Sequence, residues 1–187
     1  HLSDTAPLGG TPAYMAPEMA AGRPEGIGCH SDIYLLGGVL YRITTGLAPH
    51  HADTPLGCIL QAADNAIQPT DRERELVEVA LKAMATDPAE RHGSVKEFQE
   101  AVRGCRRHFE SIRLEKTARD TLEEAERTGD YEEYSRAVFG FREALELWEE
   151  NAGAESGLVE AQKVYAQSAL RNGDLDLAGS VLDETRP

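Results

Sequence analysis

Gly10-Thr-Pro-Ala-Tyr-Met-Ala-Pro-Glu18 lies close to the start of a chain of 187 residues, and its two prolines settle most of its local geometry. Each fixes φ and withdraws a backbone donor, so Gly10-Thr11-Pro12 reads as a turn. Ala16-Pro17-Glu18 reads as a helix start, with proline at the first helical position and an acid in the first turn, where the helix dipole favours it. The stretch from His1 to Pro24 also holds Pro7, Gly9 and Pro24 itself. That density forbids a long helix and leaves only the short piece after Pro17 free to turn helical.

Downstream the pattern becomes helical. Ser31-Asp32 offers an N-cap to Ile33–Thr45, a segment apolar nearly all round that stops at Gly46, with Pro49 beyond. A helix without a polar face belongs inside a domain, so this one is expected to be the buried spine of the first hundred residues. A weaker helix is expected over Pro55–Asp64. A stronger one spans Thr70–Ala85, where Leu76, Ala80, Ala83 and Met84 share a face and Asp87-Pro88 ends the run. Ser94-Val-Lys-Glu97 is a capping box, and the helix it launches carries Val95, Phe98 and Val102 as one stripe.

After about Cys105 the texture changes to charged, proline-free helix. Phe109, Ile112, Leu122 and Ala125 form a stripe up to a break at Gly129-Asp130. Ala137, Phe141, Ala144, Leu145 and Trp148 form the next, and a second break falls at Gly173-Asp174. No strand-like alternation occurs, so the chain is predicted to be all-α, divided into residues 1–104 and 105–187.

Composition narrows the function. Hydrophobic residues at 41% and charged residues at 28% indicate a soluble globular class. The net charge of −14 is spread along the chain, acids outnumbering bases 14 to 8 through Gly104 and 19 to 11 after it. Such a surface argues against nucleic acid or anionic lipid as a direct ligand. Cys29, Cys58 and Cys105 have no metal-ligand spacing and read as reduced thiols of a cytoplasmic segment, with no metal site. His30, His50, His51, His92 and His108 belong to no recognisable motif and are expected at the surface or in loops. The longest apolar run, Ile33–Tyr41, falls far short of the roughly 20 residues a bilayer span needs. No membrane segment is expected here, although the parent could be anchored elsewhere. With no signal-like segment after His1, the sequence reads as an excerpt of a longer chain.

The Gly10–Glu18 motif does not stand alone. It resembles the end of the activation segment of bacterial, eukaryotic-like serine/threonine protein kinases, Ala16-Pro17-Glu18 matching the A-P-E signature. Ser31-Asp32-Ile33-Tyr34-Leu35-Leu36-Gly37 looks like that family's central buried helix, and Asp87-Pro88-Ala89-Glu90-Arg91 like the junction of its last two helices. The resemblance covers residues 1–104 and implies the C-terminal lobe. It implies that Glu18 pairs with Arg91 through a bidentate, largely buried contact, and that Asp32 accepts hydrogen bonds from the catalytic loop. It implies that Thr11 contacts the catalytic aspartate and lysine, with Pro12 and Tyr14 helping to form the platform for the substrate residue after the phosphoacceptor. Thr5 and, less favoured, Ser3 would lie in the part of the segment that phosphorylation could order.

Phosphoryl transfer also needs a Gly-rich loop, a lysine with its glutamate, a catalytic-loop aspartate and asparagine, and a metal-holding aspartate. In the family these precede the A-P-E signature, and none follows His1. The resemblance therefore implies ATP and Mg²⁺ in the intact parent, none bound by this fragment, and no catalytic residue within it. Residues 105–187 resemble tetratricopeptide repeats, on Tyr165-Ala166, Ala169-Leu170, Gly173-Asp174-Leu175 and Ala178, echoed by Gly129-Asp130-Tyr131 with Ala137, Phe141, Ala144 and Leu145. The first copy is longer than the second between glycine and alanine, and the 44 residues between the glycines exceed the usual spacing of about 34. The implied function is a kinase acting on protein Ser or Thr, with protein partners held by the helical repeats. The alternative is a pseudokinase scaffold or adaptor working through those repeats.

Overall fold

The computed structural model describes residues 11–22, 24–72 and 75–183, and among them all regular structure is helical. The helices are α1 (Pro17–Ala20), α2 (Cys29–Thr45), α3 (Pro55–Ala63), α4 (Glu75–Ala83), α5 (Val95–Thr128), α6 (Tyr131–Leu147), α7 (Ala152–Arg171) and α8 (Leu175–Asp183). Short 3₁₀ turns occupy Pro12–Tyr14, Pro24–Gly26 and Pro88–Glu90, each opened by a proline. The all-α reading stands. The chain forms two compact units, His1–Cys105 and Arg106–Pro187, the division falling within α5.

In the first unit α2 is the element against which the others are placed. It begins four residues before Ile33, so the expected cap at Ser31-Asp32 is wrong. Gly28 is the extended residue before the helix, and the Ser31 hydroxyl, already inside the first turn, accepts from the Gly28 N–H at 3.2 Å. Gly46, in the left-handed region at φ +81°, closes the helix. The face carrying Ile33, Tyr34, Gly37 and Tyr41 is buried and packs on α4 through Ala80 and Ala83, and on Met84 just after it. Gly37 permits that approach: a Cβ there would lie 2.7 Å from the Ala83 Cβ and 2.9 Å from the Ala80 carbonyl. The helix is not buried all round, however. Leu36, Val39 and Ile43 stay exposed, Ile43 by 74%, because the described elements of this unit pack on the other side.

α4 starts at Glu75, later than the Thr70 expected, and α3 matches its expected span to within a residue. Half of the capping box forms at the head of α5: the Glu97 N–H donates to the Ser94 hydroxyl at 3.1 Å, but the Glu97 carboxylate reaches one residue further back and accepts from the Gly93 N–H at 2.8 Å. Of the Val95 stripe, Phe98 is buried while Val95 is exposed.

In the second unit Gly129 and Gly173, both left-handed, end α5 and α7 at the two predicted breaks. Phe141 fills the centre, and Gly157 of α7 lies so close that a Cβ would sit 2.3 Å from the Phe141 ring. Tyr134 and Tyr165 stack at 5.3 Å beside it. A buried polar link joins three helices: the Ser111 hydroxyl donates to the Ala144 carbonyl at 2.6 Å, Asn151 Nδ2 donates to that hydroxyl at 2.9 Å, and Asn151 Oδ1 caps α7 through the Ala154 N–H at 3.0 Å. Of the stripe expected from Phe109, Ile112, Leu122 and Ala125, the last two are buried, but Phe109 and Ile112 are 72% and 49% exposed, and Ser111 and Ala118 face the core in their stead.

Candidate functional site

Thr11 to Tyr14 forms one tight turn, in which the Tyr14 N–H donates to the Thr11 carbonyl at 3.0 Å. Pro12 presets the turn, and Thr11 sits extended and exposed at its head. Two contacts seat it on the unit. The His50 N–H donates to the Ala13 carbonyl at 3.0 Å, and the Tyr14 ring packs over Gly38, where a Cβ would come within 3.2 Å of it. Met15 and Ala16 then turn inward and are buried, which delivers Glu18 on α1 to the interior.

Glu18 and Arg91 meet there, 73 residues apart in sequence. Arg91 Nη1 and Nη2 donate to the two carboxylate oxygens at 2.8 and 2.9 Å, a bidentate fork. Four of the five guanidinium N–H groups are engaged: Nη1 also donates to the His30 carbonyl at 2.9 Å and Nε to the Ala85 carbonyl at 2.9 Å, while the guanidinium face lies 4.9 Å from the centre of the Tyr34 ring. The Ser31 hydroxyl donates a further 2.7 Å bond to Glu18 Oε1. The Arg91 side chain is 0% exposed and that of Glu18 12%. Burial alone would raise the Glu18 pKa; hydrogen bonds from Arg91 and Ser31, helped by the guanidinium charge, outweigh it and hold the carboxyl at about 2. The pair fastens α1 to the Asp87–Arg91 junction and to the start of α2.

A second buried cluster lies beneath the turn. The Tyr34 hydroxyl donates to Asn65 Oδ1 at 2.6 Å and lies 2.9 Å from His50 Nε2, while His50 Nδ1 is 3.0 Å from the Ala66 carbonyl. Asn65 Nδ2 donates to the Met84 carbonyl at 3.0 Å and to Thr86 Oγ1 at 2.8 Å. Burial raises the Tyr34 pKa. Burial lowers that of His50, against an opposing pull from the carbonyls of Ala66 and Met15.

The sequence-derived residues thus fall into a turn (Thr11, Pro12, Tyr14) and a tether (Glu18, Arg91). Asp32 is in neither: it is exposed in the first turn of α2. Ser3 and Thr5 lie outside the described residues. Sequence reasoning missed Ser31 as a partner of Glu18; His50 and His92 lie in loops as expected, but both are buried. No periodicity marks either histidine, since each sits in a loop whose burial depends on long-range packing.

No family model matches the chain. A serine/threonine-protein kinase PknB of Mycobacterium leprae is 35% identical over 103 residues, 52% of this chain and 16% of that protein. A probable serine/threonine-protein kinase of Clostridium acetobutylicum is 35% identical over 83 residues, 44% and 12%. Serine/threonine-protein kinase pkn3 of Myxococcus xanthus is 32% identical over 112 residues, 54% and 20%. About half of this chain is related to bacterial serine/threonine protein kinases. The chain spans a fifth or less of the length of these relatives. Among the described residues no helix is long and apolar enough to cross a membrane.

Proposed function

We propose that residues 1–104 are the substrate-side end of a serine/threonine protein kinase catalytic lobe, in which Thr11, Pro12 and Tyr14 form the platform that receives a protein substrate. The observation that carries this reading is the Glu18–Arg91 fork, because it joins two of the three stretches that resemble the family, a few residues after the exposed Thr11. In this reading Thr11 helps to orient the catalytic aspartate and lysine, and Asp32, exposed on α2, meets the catalytic loop. Ser3 and Thr5 are the segment's phosphorylation sites. The transferred group is the γ-phosphoryl of ATP, with Mg²⁺ neutralising charge, and the acceptor is a protein Ser or Thr hydroxyl. Among the described residues no three His, Cys, Asp or Glu side chains converge as a metal site would require. In this reading the turn receives substrate, and nucleotide and metal are held by the residues that precede the A-P-E signature in the family.

Residues 105–187 are proposed to be a tetratricopeptide-like region that holds protein partners. Ala166, Ala169 and Ala178 are buried where α7 and α8 cross at left-handed Gly173, the use of small residues such repeats require. A groove of about 250 Å³ on this unit, with Phe139, Tyr165 and Leu177 in its wall, would give a partner's apolar side chain somewhere to bind.

Thr11→Ala in the full-length protein tests the platform. Phosphorylation of a protein substrate should fall sharply while ATP binding is largely kept; equal loss of both would contradict the role given to Thr11.

A further inference from the structure

We propose that His50 is a positioning residue of the substrate platform whose hold depends on its protonation: carrying protons on both ring nitrogens, it completes a hydrogen-bond chain from beneath the turn to the end of α4, and in its neutral form that chain lacks one link. The inference rests on the reading of Pro12–Tyr14 as that platform, but its physical basis is a count of protons.

Starting at the far end, Asn65 Nδ2 is spoken for twice, donating to the Met84 carbonyl and to Thr86 Oγ1. Its Oδ1 must therefore face Tyr34, and at 2.6 Å it accepts the single proton of the Tyr34 hydroxyl. With that proton committed, the Tyr34 oxygen can only accept from His50 Nε2, 2.9 Å away. His50 Nδ1, meanwhile, faces the Ala66 carbonyl at 3.0 Å, which can only accept. Both nitrogens therefore face acceptors, and only the imidazolium carries two donors. A neutral ring protonated at Nδ1 competes with Asn65 for the Tyr34 proton. One protonated at Nε2 sets its Nδ1 lone pair against the Ala66 oxygen. Either way one buried bond is unmade.

His50 is 0% exposed, so water cannot supply the missing partner. Its own N–H holds Ala13, so a shift of the ring is felt in the turn. Asn65 adds a stiff anchor: it is the one non-glycine residue at positive φ among those described, at 49°, and its side chain fixes that conformation.

The charged and titratable groups around the ring are few. From α2 comes Tyr34, whose ring carries Arg91, itself neutralised by Glu18. From the loop after α3 come the Ala66 carbonyl and, through Tyr34, the Asn65 amide. From the turn come the carbonyls of Ala13, to the His50 N–H, and of Met15, with Tyr14 and exposed His51 as titratable neighbours. Burial opposes the cation and is the larger effect, lowering the His50 pKa, while the acceptor carbonyls of Ala66 and Met15 favour the cation.

The test is long-range ¹H–¹⁵N spectroscopy of the imidazoles of the whole 187-residue chain, from about pH 5 to 8, read together with the Tyr14 and Met15 amides. The expected result is a low-pH form of His50 with both nitrogens protonated, and platform amides that titrate at the His50 midpoint rather than at that of His51. Tyr34→Phe should lower the His50 midpoint, because it removes the acceptor for Nε2–H. His50→Phe, if folded, should abolish the titration of the platform amides. A His50 midpoint raised or unchanged by Tyr34→Phe, or platform amides indifferent to His50, would overturn the proposal. Since no step uses ATP or substrate, loss of the kinase reading would leave this result intact, and a failed titration would leave the kinase reading intact.

Discussion

Arg91→Ala is the perturbation whose cost the structure defines best. The substitution removes four hydrogen bonds at once: two to Glu18, one to the His30 carbonyl and one to the Ala85 carbonyl. It leaves Glu18, 12% exposed, with the Ser31 hydroxyl as its remaining strong partner. A buried charge stranded in this way typically costs about 3–5 kcal/mol, a large fraction of the roughly 5–15 kcal/mol that holds an ordinary domain. For a unit of this size each kcal/mol moves the midpoint by about 4–8 °C, so the melting temperature should fall by more than about 10 °C.

The same pair has a pH signature. The Glu18 carboxyl is lowered from 4.5 to about 2 in the folded chain, so the unfolded chain binds its proton first as acid is added. The contribution, about 3 kcal/mol at neutral pH, is fully present above about pH 4.5 and drains away as pH falls toward 2. Urea unfolding followed by circular dichroism, at neutral pH and near pH 3.5, reads both effects. Glu18→Gln should flatten the stability slope in that window, and the Glu18→Ala/Arg91→Ala double variant should cost clearly less than the sum of the singles. Additive single costs, or an Arg91→Ala midpoint within about 0.5 kcal/mol of wild type as for an ordinary surface change, would refute the reasoning.

Three further outcomes follow from contacts already described. Gly37→Ala should destabilise the first unit by about 1–3 kcal/mol despite its better helix propensity, because the added methyl meets Ala83 and the Ala80 carbonyl; thermal unfolding checks it. Gly157→Ala should lower the unfolding midpoint by forcing the Phe141 ring aside, and Phe141→Leu in the same chain should recover part of the loss. Asn151→Ala removes both the α7 cap and the donor to Ser111 and should cost roughly 1–3 kcal/mol in urea unfolding.

Much of the helix plan was legible because its punctuation is local. Glycine after a helix, proline at its first position and the Ser94–Glu97 box each act within a few residues, and the two Gly-Asp breaks fell where expected. What periodicity could not supply was cover. A 3.6-residue stripe says which side chains share a face, not whether another element lies on it, so Phe109, Ile112 and the Leu36–Val39–Ile43 face look like core in the sequence and are exposed in the fold. The start of α2 was misplaced for a similar reason. Ser31 serves a tertiary partner, Glu18, as well as the backbone at Gly28, so its place in the sequence resembled a cap when it already lay inside the helix. The meeting of Glu18 with Arg91 had no periodic signal at all. It was legible only through motif resemblance, which says nothing of Ser31, Tyr34 or the buried His50 that complete the surroundings.

The central claim, that this chain carries the substrate platform of a serine/threonine kinase, is tested most directly by identifying the phosphorylated amino acid. Full-length protein, supplied with labelled ATP, Mg²⁺ and a mixed Ser/Thr/Tyr protein substrate, should yield phosphoserine or phosphothreonine, with the yield collapsing in Thr11→Ala. Phosphotyrosine as the main product, or no transfer by a folded, ATP-binding protein, would contradict it.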